Sequence, residues 1–199
     1  MNRLVCKVIF ILFLGLTLAA GPAAACVGKT LIVGSKGTVQ QDVLAQVLSL
    51  LISERTGTSV KIVKVESTRE LHEAMLKDDV DIAVEYTGAG LVEILDAEPG
   101  TDAAAAYDLV KERYNSEHNL VWLKPLGFAE SAAVPEGAPS EAAPLVRKGT
   151  LKKFPALARL INKLGGTIDD AAMADLEASA GGDNLRQVAR DFLKKKRLI

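Results

Sequence analysis

The pattern of apolar and polar positions after residue 29 alternates between two kinds of segment. Short β-branched or apolar runs are followed by longer stretches in which apolar residues recur every three or four positions. The first pattern is typical of strands and the second of amphipathic helices. The predicted strands are Thr30–Gly34, Ser59–Val65, Val80–Val84 and Leu120–Leu123. Because strands that alternate with helices form parallel βαβ units, the sequence predicts an α/β fold with a mostly parallel sheet.

Helix boundaries are marked by capping residues. Thr38 precedes a helical pattern that continues to about Arg55 and stops at Gly57, and Ser67 with Glu70 forms a capping box at the start of the next helix. The remaining predicted helices are Gly88–Leu95, Asp102–Tyr114, Phe154–Leu164, Asp169–Ser179 and Asn184–Lys195. The C-terminal third is therefore expected to be helical.

The start of the chain has the organisation of a secretory signal. Two basic residues, Arg3 and Lys7, precede an uncharged apolar run over residues 8–20, and small residues follow it before Cys26. This run is shorter than the roughly 20 residues that span a bilayer, which makes a retained membrane helix the weaker interpretation. The sequence predicts a signal peptide over 1–25 and a periplasmic or other extracytoplasmic mature chain.

Cys26 is open to two interpretations. Cleavage before it would remove Cys6 and leave one unpaired thiol in an oxidising compartment. Lipid modification of Cys26 would remove that thiol and anchor the chain to a membrane, but Ala23 stands where lipoprotein signals usually carry Leu. A plain cleavage that leaves a free Cys26 is the alternative.

Composition and charge exclude several classes of protein. With 24 basic and 25 acidic residues, the chain lacks the basic surplus of a nucleic-acid-binding protein. Two histidines and two cysteines leave little for a zinc site and exclude a disulfide framework. The sequence holds no nucleophile–base pair, phosphate-binding loop or dinucleotide fingerprint. We therefore expect no catalytic residues, no metal and no cofactor.

Two turns that follow predicted strands are candidate ligand contacts. Ser35 and Lys36 lie between the first strand and the first helix, where backbone N–H groups and a lysine favour an anion. The second turn, Glu85–Gly90, follows the third strand. Ligands of open α/β sheets bind outside the carboxyl ends of strands, which is where both turns are expected. Taken alone, the first turn is better explained as a simple strand–helix connection.

A series of motifs runs in order along nearly the whole predicted mature chain. They are Ile32–Lys36, Leu71–Met75, Asp79–Gly88, Tyr114–Asn115, Asn119–Phe128, Ala143–Lys148, Phe154–Leu157 and Leu160–Leu164, with Asp170 and Met173 following. In this order they resemble the substrate-binding proteins of glycine betaine, choline and osmoprotectant ABC importers. The resemblance implies a type II periplasmic-binding fold, in which two α/β lobes hold a ligand between them.

The resemblance also implies that one lobe is missing. The family inserts its second lobe into the first, but the insertion expected after Phe128 is absent here. In its place is a segment rich in Ala, Pro, Gly, Glu and Ser, which predicts a linker over 129–144. The expected domain is therefore a single lobe over 26–199, made of residues 26–128 and 145–199.

Family members hold a quaternary ammonium in a cage of aromatic rings by cation–π contact, and their basic and hydroxyl groups bind the carboxylate of betaine. By position, the resemblance implies the ligand-binding residues Ser35, Lys36, Gln41, Tyr86 and Thr87. Ala89 stands where members commonly have Thr, and Ala132 where a second cage tyrosine is expected. One retained tyrosine does not make a cage.

The function implied by the resemblance is the substrate-binding component of an ABC importer for a glycine betaine- or choline-like osmoprotectant or a related amine. Its expected partners are permease and ATPase subunits, a small quaternary-amine or amino-acid-like ligand, and a second copy in a homodimer. Nucleic acid is not expected, and membrane contact is expected only through a lipid on Cys26. The alternative is a non-transporting periplasmic interaction or accessory protein that kept one lobe and lost ligand capture.

Overall fold

The computed structural model describes residues 30–98, 100, 102–129 and 134–199. The predicted signal peptide over 1–25 and the predicted lipidation site at Cys26 lie outside these residues. The described strands are β1 Leu31–Ser35, β2 Val60–Lys64, β3 Ile82–Tyr86, β4 Leu120–Trp122 and β5 Ala142–Arg147. The described helices are α1 Val39–Thr56, α2 Thr68–Leu76, α3 Thr87–Ala89, α4 Ala103–Arg113, α5 Lys148–Lys153, α6 Leu157–Ile161, α7 Asp170–Ser179 and α8 Leu185–Lys195.

The five strands form one sheet in the order β2-β1-β3-β5-β4. β1 is parallel to β2 and β3, whereas β5 is antiparallel to both of its neighbours. Gly34 lies opposite Ala83 in the pairing of β1 with β3. The residues that follow these two strands therefore lie at the same edge of the sheet.

The predicted α/β fold is confirmed, and four of the five strands run in the same direction, but the antiparallel strand β5 was not predicted. β5 begins at Ala142, so the last residues of the predicted linker 129–144 belong to the sheet. The strand begins with Ala142 and Ala143 and carries Pro144, so it lacks the β-branched run by which β1 and β3 were recognised. Pro144 has no N–H to donate to the sheet, but its carbonyl accepts from the Leu123 N–H.

The first apolar core lies between the sheet and the C-terminal helices. α1 contacts β1, β2 and β3 and also contacts α6, α7 and α8. Because α1 is covered by the sheet and by these helices, it buries side chains on most of its surface: Val43, Leu44, Ala45, Val47, Leu48, Leu50, Leu51 and Ile52. In the part of the chain that the structure describes, no helix is long and apolar enough to cross a bilayer.

The second apolar core covers the opposite face of the sheet. Its residues come largely from β3, β4, β5, α2, α4 and the π-helical turns Gly90–Ile94 and Tyr114–His118 that follow α3 and α4. His72 lies in this layer with 8% of its surface exposed, and its ring centroid is 4.7 Å from that of His118 and 5.4 Å from that of Tyr114. Burial, and next the nearby His118, lower the pKa of His72 from 6.5 to about 4.

This pKa predicts a loss of stability in mild acid. Between pH 6.5 and about 4 the unfolded chain protonates His72 while the folded chain holds it neutral, so the unfolded state binds more protons. The contribution is complete above pH 6.5 and is lost as the pH falls towards 4. We expect this one residue to lower the free energy of unfolding by roughly 2 kcal/mol over that range.

Urea unfolding at pH 7, 5.5 and 4 measures the effect. Carboxylates add their own acid dependence, so the informative quantity is the difference in pH slope between the wild-type chain and His72→Leu. The variant should show the shallower slope below pH 6.5. Equal slopes for the two chains would show that His72 does not link folding to protonation.

Candidate functional site

Four of the five predicted ligand-binding residues lie where β1 and β3 end. Ser35 is the last residue of β1 and is followed by Lys36, while Tyr86 ends β3 and Thr87 begins α3. The Lys36 Nζ lies 5.1 Å from the centroid of the Tyr86 ring. Gln41 lies in the first turn of α1 and is buried. The two turns lie beside each other, as expected for segments that follow the carboxyl ends of parallel strands.

Lys36 is bound by its own chain. Its Nζ donates to Glu85 Oε1 at 2.5 Å and to Thr68 Oγ1 at 3.0 Å. The side chains of Lys36 and Glu85 are only 6% and 2% exposed. Glu85 Oε1 also accepts from the Tyr86 N–H at 2.9 Å. The lysine that was expected to meet a ligand anion is therefore already paired with a buried carboxylate.

Tyr86 is fully buried between α1 and the chain after β4. Its hydroxyl is hydrogen-bonded to the side-chain oxygen of Gln40. Its ring meets that of Phe128 edge to face, with 6.5 Å between centroids. Phe128 thus supplies a second ring beside Tyr86, whereas Ala132, where a second cage tyrosine was expected, lies outside the described residues.

The other predicted residues also have structural roles. Ser35 donates to Asp42 Oδ1 at 2.6 Å and accepts from the Gly37 N–H at 3.2 Å, which fixes the turn between β1 and α1. The side-chain amide of Gln41 has no hydrogen-bond partner among the described residues, although the residue is 1% exposed. Gln41 is therefore the predicted residue whose polar atoms remain available.

The chain between β4 and β5 covers the turn after β3. We call residues 134–141, the described part of that connection next to β5, the crossing segment. Thr87 donates its N–H to Glu141 O at 3.0 Å, and its Oγ1 accepts from the Glu141 N–H at 2.9 Å. A Cβ at Gly88 would lie 2.8 Å from Pro139 O and 2.9 Å from Val134 Cγ1. The crossing segment thus closes the predicted site from outside.

Sequence reasoning missed the residues that hold this site together, namely Glu85 as a partner, Thr68, Phe128 and Glu141. One signal was present, because Glu85 is a charge inside the otherwise apolar run of β3 and a buried charge needs a partner. The other three approach from distant parts of the chain. Within the described residues, no three His, Cys, Asp or Glu side chains are grouped so as to hold a metal ion.

The sequence matches the family described as the substrate-binding domain of the ABC-type glycine betaine transport system, over residues 29–136 and 131–195. The chain belongs to this family. Its members are periplasmic or extracytoplasmic solute-binding proteins, and the family is not one of enzymes. The two matched segments meet within 131–136, inside the predicted linker.

Individual relatives carry different ligands in their names. The carnitine transport binding protein of Listeria monocytogenes is 31% identical over 157 residues, which are 78% of this chain and 45% of the relative. The ergothioneine transport permease/ergothioneine binding protein of Helicobacter pylori is 33% identical over 121 residues, 58% of this chain and 22% of that protein. This chain therefore spans about half the length of the first relative and about a fifth of the second.

A solved structure supports the fold. The crystal structure of a glycine betaine/carnitine/choline ABC transporter superposes with a TM-score of 0.77 at 18% identity, over 85% of this chain and 98% of that chain. The described residues thus have the fold of type II periplasmic-binding proteins, as the resemblance implies.

The close approach of the crossing segment predicts that Gly88 tolerates no side chain. In Gly88→Ala the new Cβ meets backbone at Pro139, so the segment must shift, and we expect a loss of about 1–3 kcal/mol in the free energy of unfolding. Gly181→Ala is the control, because that glycine has φ −161° and open space around its Cβ position. Its change should stay within about 0.5 kcal/mol.

Denaturant unfolding of both variants checks this contact. An equal, small effect of the two substitutions would mean that the crossing segment does not pack on α3.

Proposed function

We propose that this chain is the substrate-binding component of an ABC importer for a glycine betaine- or choline-like osmoprotectant or a related amine. The observation that carries the proposal is the placement of Tyr86, with Phe128 and Lys36 beside it, at the carboxyl ends of two parallel strands. Ligands of such sheets bind at this edge. Membership of a family of glycine betaine transport substrate-binding domains supports the same role. Permease and ATPase subunits are the proposed partners.

The chemistry of the site fits a small cation. The face of an aromatic ring attracts a quaternary ammonium, and two rings in edge-to-face contact form part of a cage. Tyr86 and Phe128 are placed in this way, and the amide of Gln41, which has no hydrogen-bond partner among the described residues, offers a donor and an acceptor in the first turn of α1. The crossing segment packs on α3 beside this site.

These features predict weak binding by the isolated monomer. The cation–π contact strengthens from roughly 0.5–1 kcal/mol at exposed sites to about 2 or more when water is removed. No second lobe closes over the described residues, so we expect a dissociation constant for glycine betaine or choline at the millimolar level or weaker, about −4 kcal/mol. Tighter binding should require a homodimer or a partner that covers the Lys36–Tyr86 face.

Calorimetric titration of the purified monomer, backed by NMR titration at high ligand concentration, tests this. Tyr86→Ala should abolish binding, while Tyr86→Phe, which keeps the ring and loses the hydroxyl that bonds to Gln40, should retain it. Micromolar affinity lost on Tyr86→Ala would show that one lobe is sufficient. Binding that survives Tyr86→Ala would contradict the proposed site.

A specific observation also favours the alternative function, a periplasmic interaction or accessory protein without ligand capture. Lys36 is paired with Glu85 and the crossing segment covers α3, so the chain itself occupies the contacts that a ligand needs. Osmoprotectant uptake by cells with and without the chain separates the two functions. Loss of uptake on deletion supports transport, whereas unchanged uptake together with capture of another periplasmic protein supports the alternative.

We propose further that Cys26 is the lipid-modified first residue of the mature chain, since cleavage there otherwise leaves a lone thiol. Mass spectrometry of the membrane fraction should show the lipid on Cys26, and Cys26→Ala should release the protein from the membrane. An N-terminus at Val27, or a free Cys26 in the soluble fraction, would contradict the anchor.

A further inference from the structure

α8 ends in a run of basic residues that continues into the turn after it. They are Lys194, Lys195, Lys196 and Arg197, and we call these four residues the basic turn. All four are exposed. Among the described residues, none of them lies within ion-pair distance of a carboxylate, whereas Arg190, one turn earlier on α8, pairs with Glu54 at 2.8 Å. The basic turn is therefore a local excess of positive charge in a chain whose formal net charge is −1.

The surroundings of the basic turn do not neutralise this charge. Asp175 and Asp191 line the groove between α7 and α8 together with Lys195 and Lys196, but no ion pair crosses this groove among the described residues. The Lys196 Nζ lies 5.8 Å from the centroid of the Phe192 ring, a contact that leaves its charge in place. The C-terminal end of a helix carries roughly half a negative elementary charge, so one cation is enough to offset it. Four cations exceed what α8 itself needs.

The backbone holds the basic turn in one conformation. The Leu198 N–H donates to Leu193 O at 2.8 Å, and the Arg197 N–H donates to Lys194 O at 2.9 Å. These two bonds form a Schellman motif, in which the residue in the left-handed conformation is usually glycine. Arg197 occupies that position with φ 57°. A basic side chain thus stands where the backbone favours glycine, and such departures from a local rule are expected where a side chain has a function.

The form of the basic turn suits an extended anionic surface. Exposed lysines are hydrated point charges on flexible stems, so they need no partner of fixed geometry. Clusters of four or more basic residues on an amphipathic helix are typical of proteins that contact anionic lipid headgroups. α8 is such a helix, because Ala189, Phe192 and Leu193 are buried in the first core. Members of this family are periplasmic or extracytoplasmic, where the extended anionic surface at hand is a membrane.

We propose that the basic turn contacts the headgroups of an anionic phospholipid membrane. This contact goes beyond the proposed function and applies equally to a transporting and a non-transporting chain. Each basic residue close to an anionic bilayer strengthens adsorption roughly fivefold, so four of them give a reversible, salt-dependent contact. A single lipid chain anchors a protein only marginally, whereas a lipid combined with a polybasic patch anchors it stably. The basic turn is thus a second membrane contact beside the lipid proposed on Cys26.

Co-sedimentation of the full Cys26→Ala chain with lipid vesicles measures this contact alone, because that variant cannot carry the proposed lipid. One set of vesicles is phosphatidylcholine, and the other contains equal parts of phosphatidylcholine and phosphatidylglycerol. At about 0.1 M salt we expect about tenfold or more tighter binding to the anionic vesicles, lost at about 1 M salt. Replacing all four residues of the basic turn by glutamine should remove that preference.

The matched control replaces four other basic residues by glutamine: Lys152, Lys153, Arg159 and Lys163. They are exposed, form no ion pair among the described residues and lie on α5, on α6 or just after it. Both variants lose the same charge, and both should melt within about 2 °C of the parent chain. The control should weaken binding by about twofold or less.

Three results would overturn the proposal. Equal losses in the two glutamine variants would show that net charge, and not the basic turn, drives adsorption. Equal binding to the two kinds of vesicle would show that the chain does not recognise anionic lipid. Tighter binding to polyglutamate than to the anionic vesicles at the same salt concentration would assign the basic turn to an acidic protein.

Arg197→Gly separates the membrane contact from a purely structural role. Glycine relieves the left-handed backbone position, so we expect the melting temperature to rise by about 2–4 °C. Binding to the anionic vesicles should weaken roughly fivefold, because one charge is lost. A more stable variant that binds these vesicles as tightly as the parent chain would contradict the proposed contact.

Discussion

The constraint on which the site depends is the burial of one carboxylate in the central strand of the sheet. Glu85 is 2% exposed, and an isolated charge there would cost several kcal/mol. Lys36 offsets that cost, and to do so it must approach from the end of β1. The same ammonium bonds to Thr68 at the start of α2. Three separate elements are therefore held in one arrangement by one pair of charges, and the position of Tyr86 follows from it.

The crossing segment imposes the second constraint. Glu141 bonds to Thr87 through both of its backbone groups, directly after the buried Tyr86. Val134 and Pro139 also lie close to Gly88, so the turn after β3 is covered by the chain itself. If a ligand binds at this turn, its apparent affinity is the intrinsic affinity multiplied by the fraction of chains in which the turn is open. Ligand capture and closure by the chain itself are thus opposing demands on the same turn.

The sequence predicts those parts of this arrangement that depend on local pattern. Four strands and the capped helices follow from periodicity and from residues such as Thr38 and Ser67, whose side chains do accept from the N–H groups of Gln41 and Glu70. β5 was not predicted, because it begins with two alanines and contains Pro144, which is uncommon inside a sheet. The meeting of the two turns follows from parallel topology. The sequence does not predict that Phe128 and Glu141 cover these turns, because long-range packing brings both residues there and no local spacing encodes it.

The alternation of β3 connects the two layers of the molecule at the site. Successive strand residues face opposite sides of a sheet, so Tyr86 lies in the first core with Ile82 and Val84, while Glu85 faces the layer of α2. The charge of Glu85 contributes to the raised pKa of Tyr114 in that second layer, after burial itself. Tyr86 and Glu85 therefore have different surroundings, although they are neighbours in the chain. A change in the packing of either layer affects the turn after β3, because Glu85 and Tyr86 are consecutive residues joined by one peptide bond.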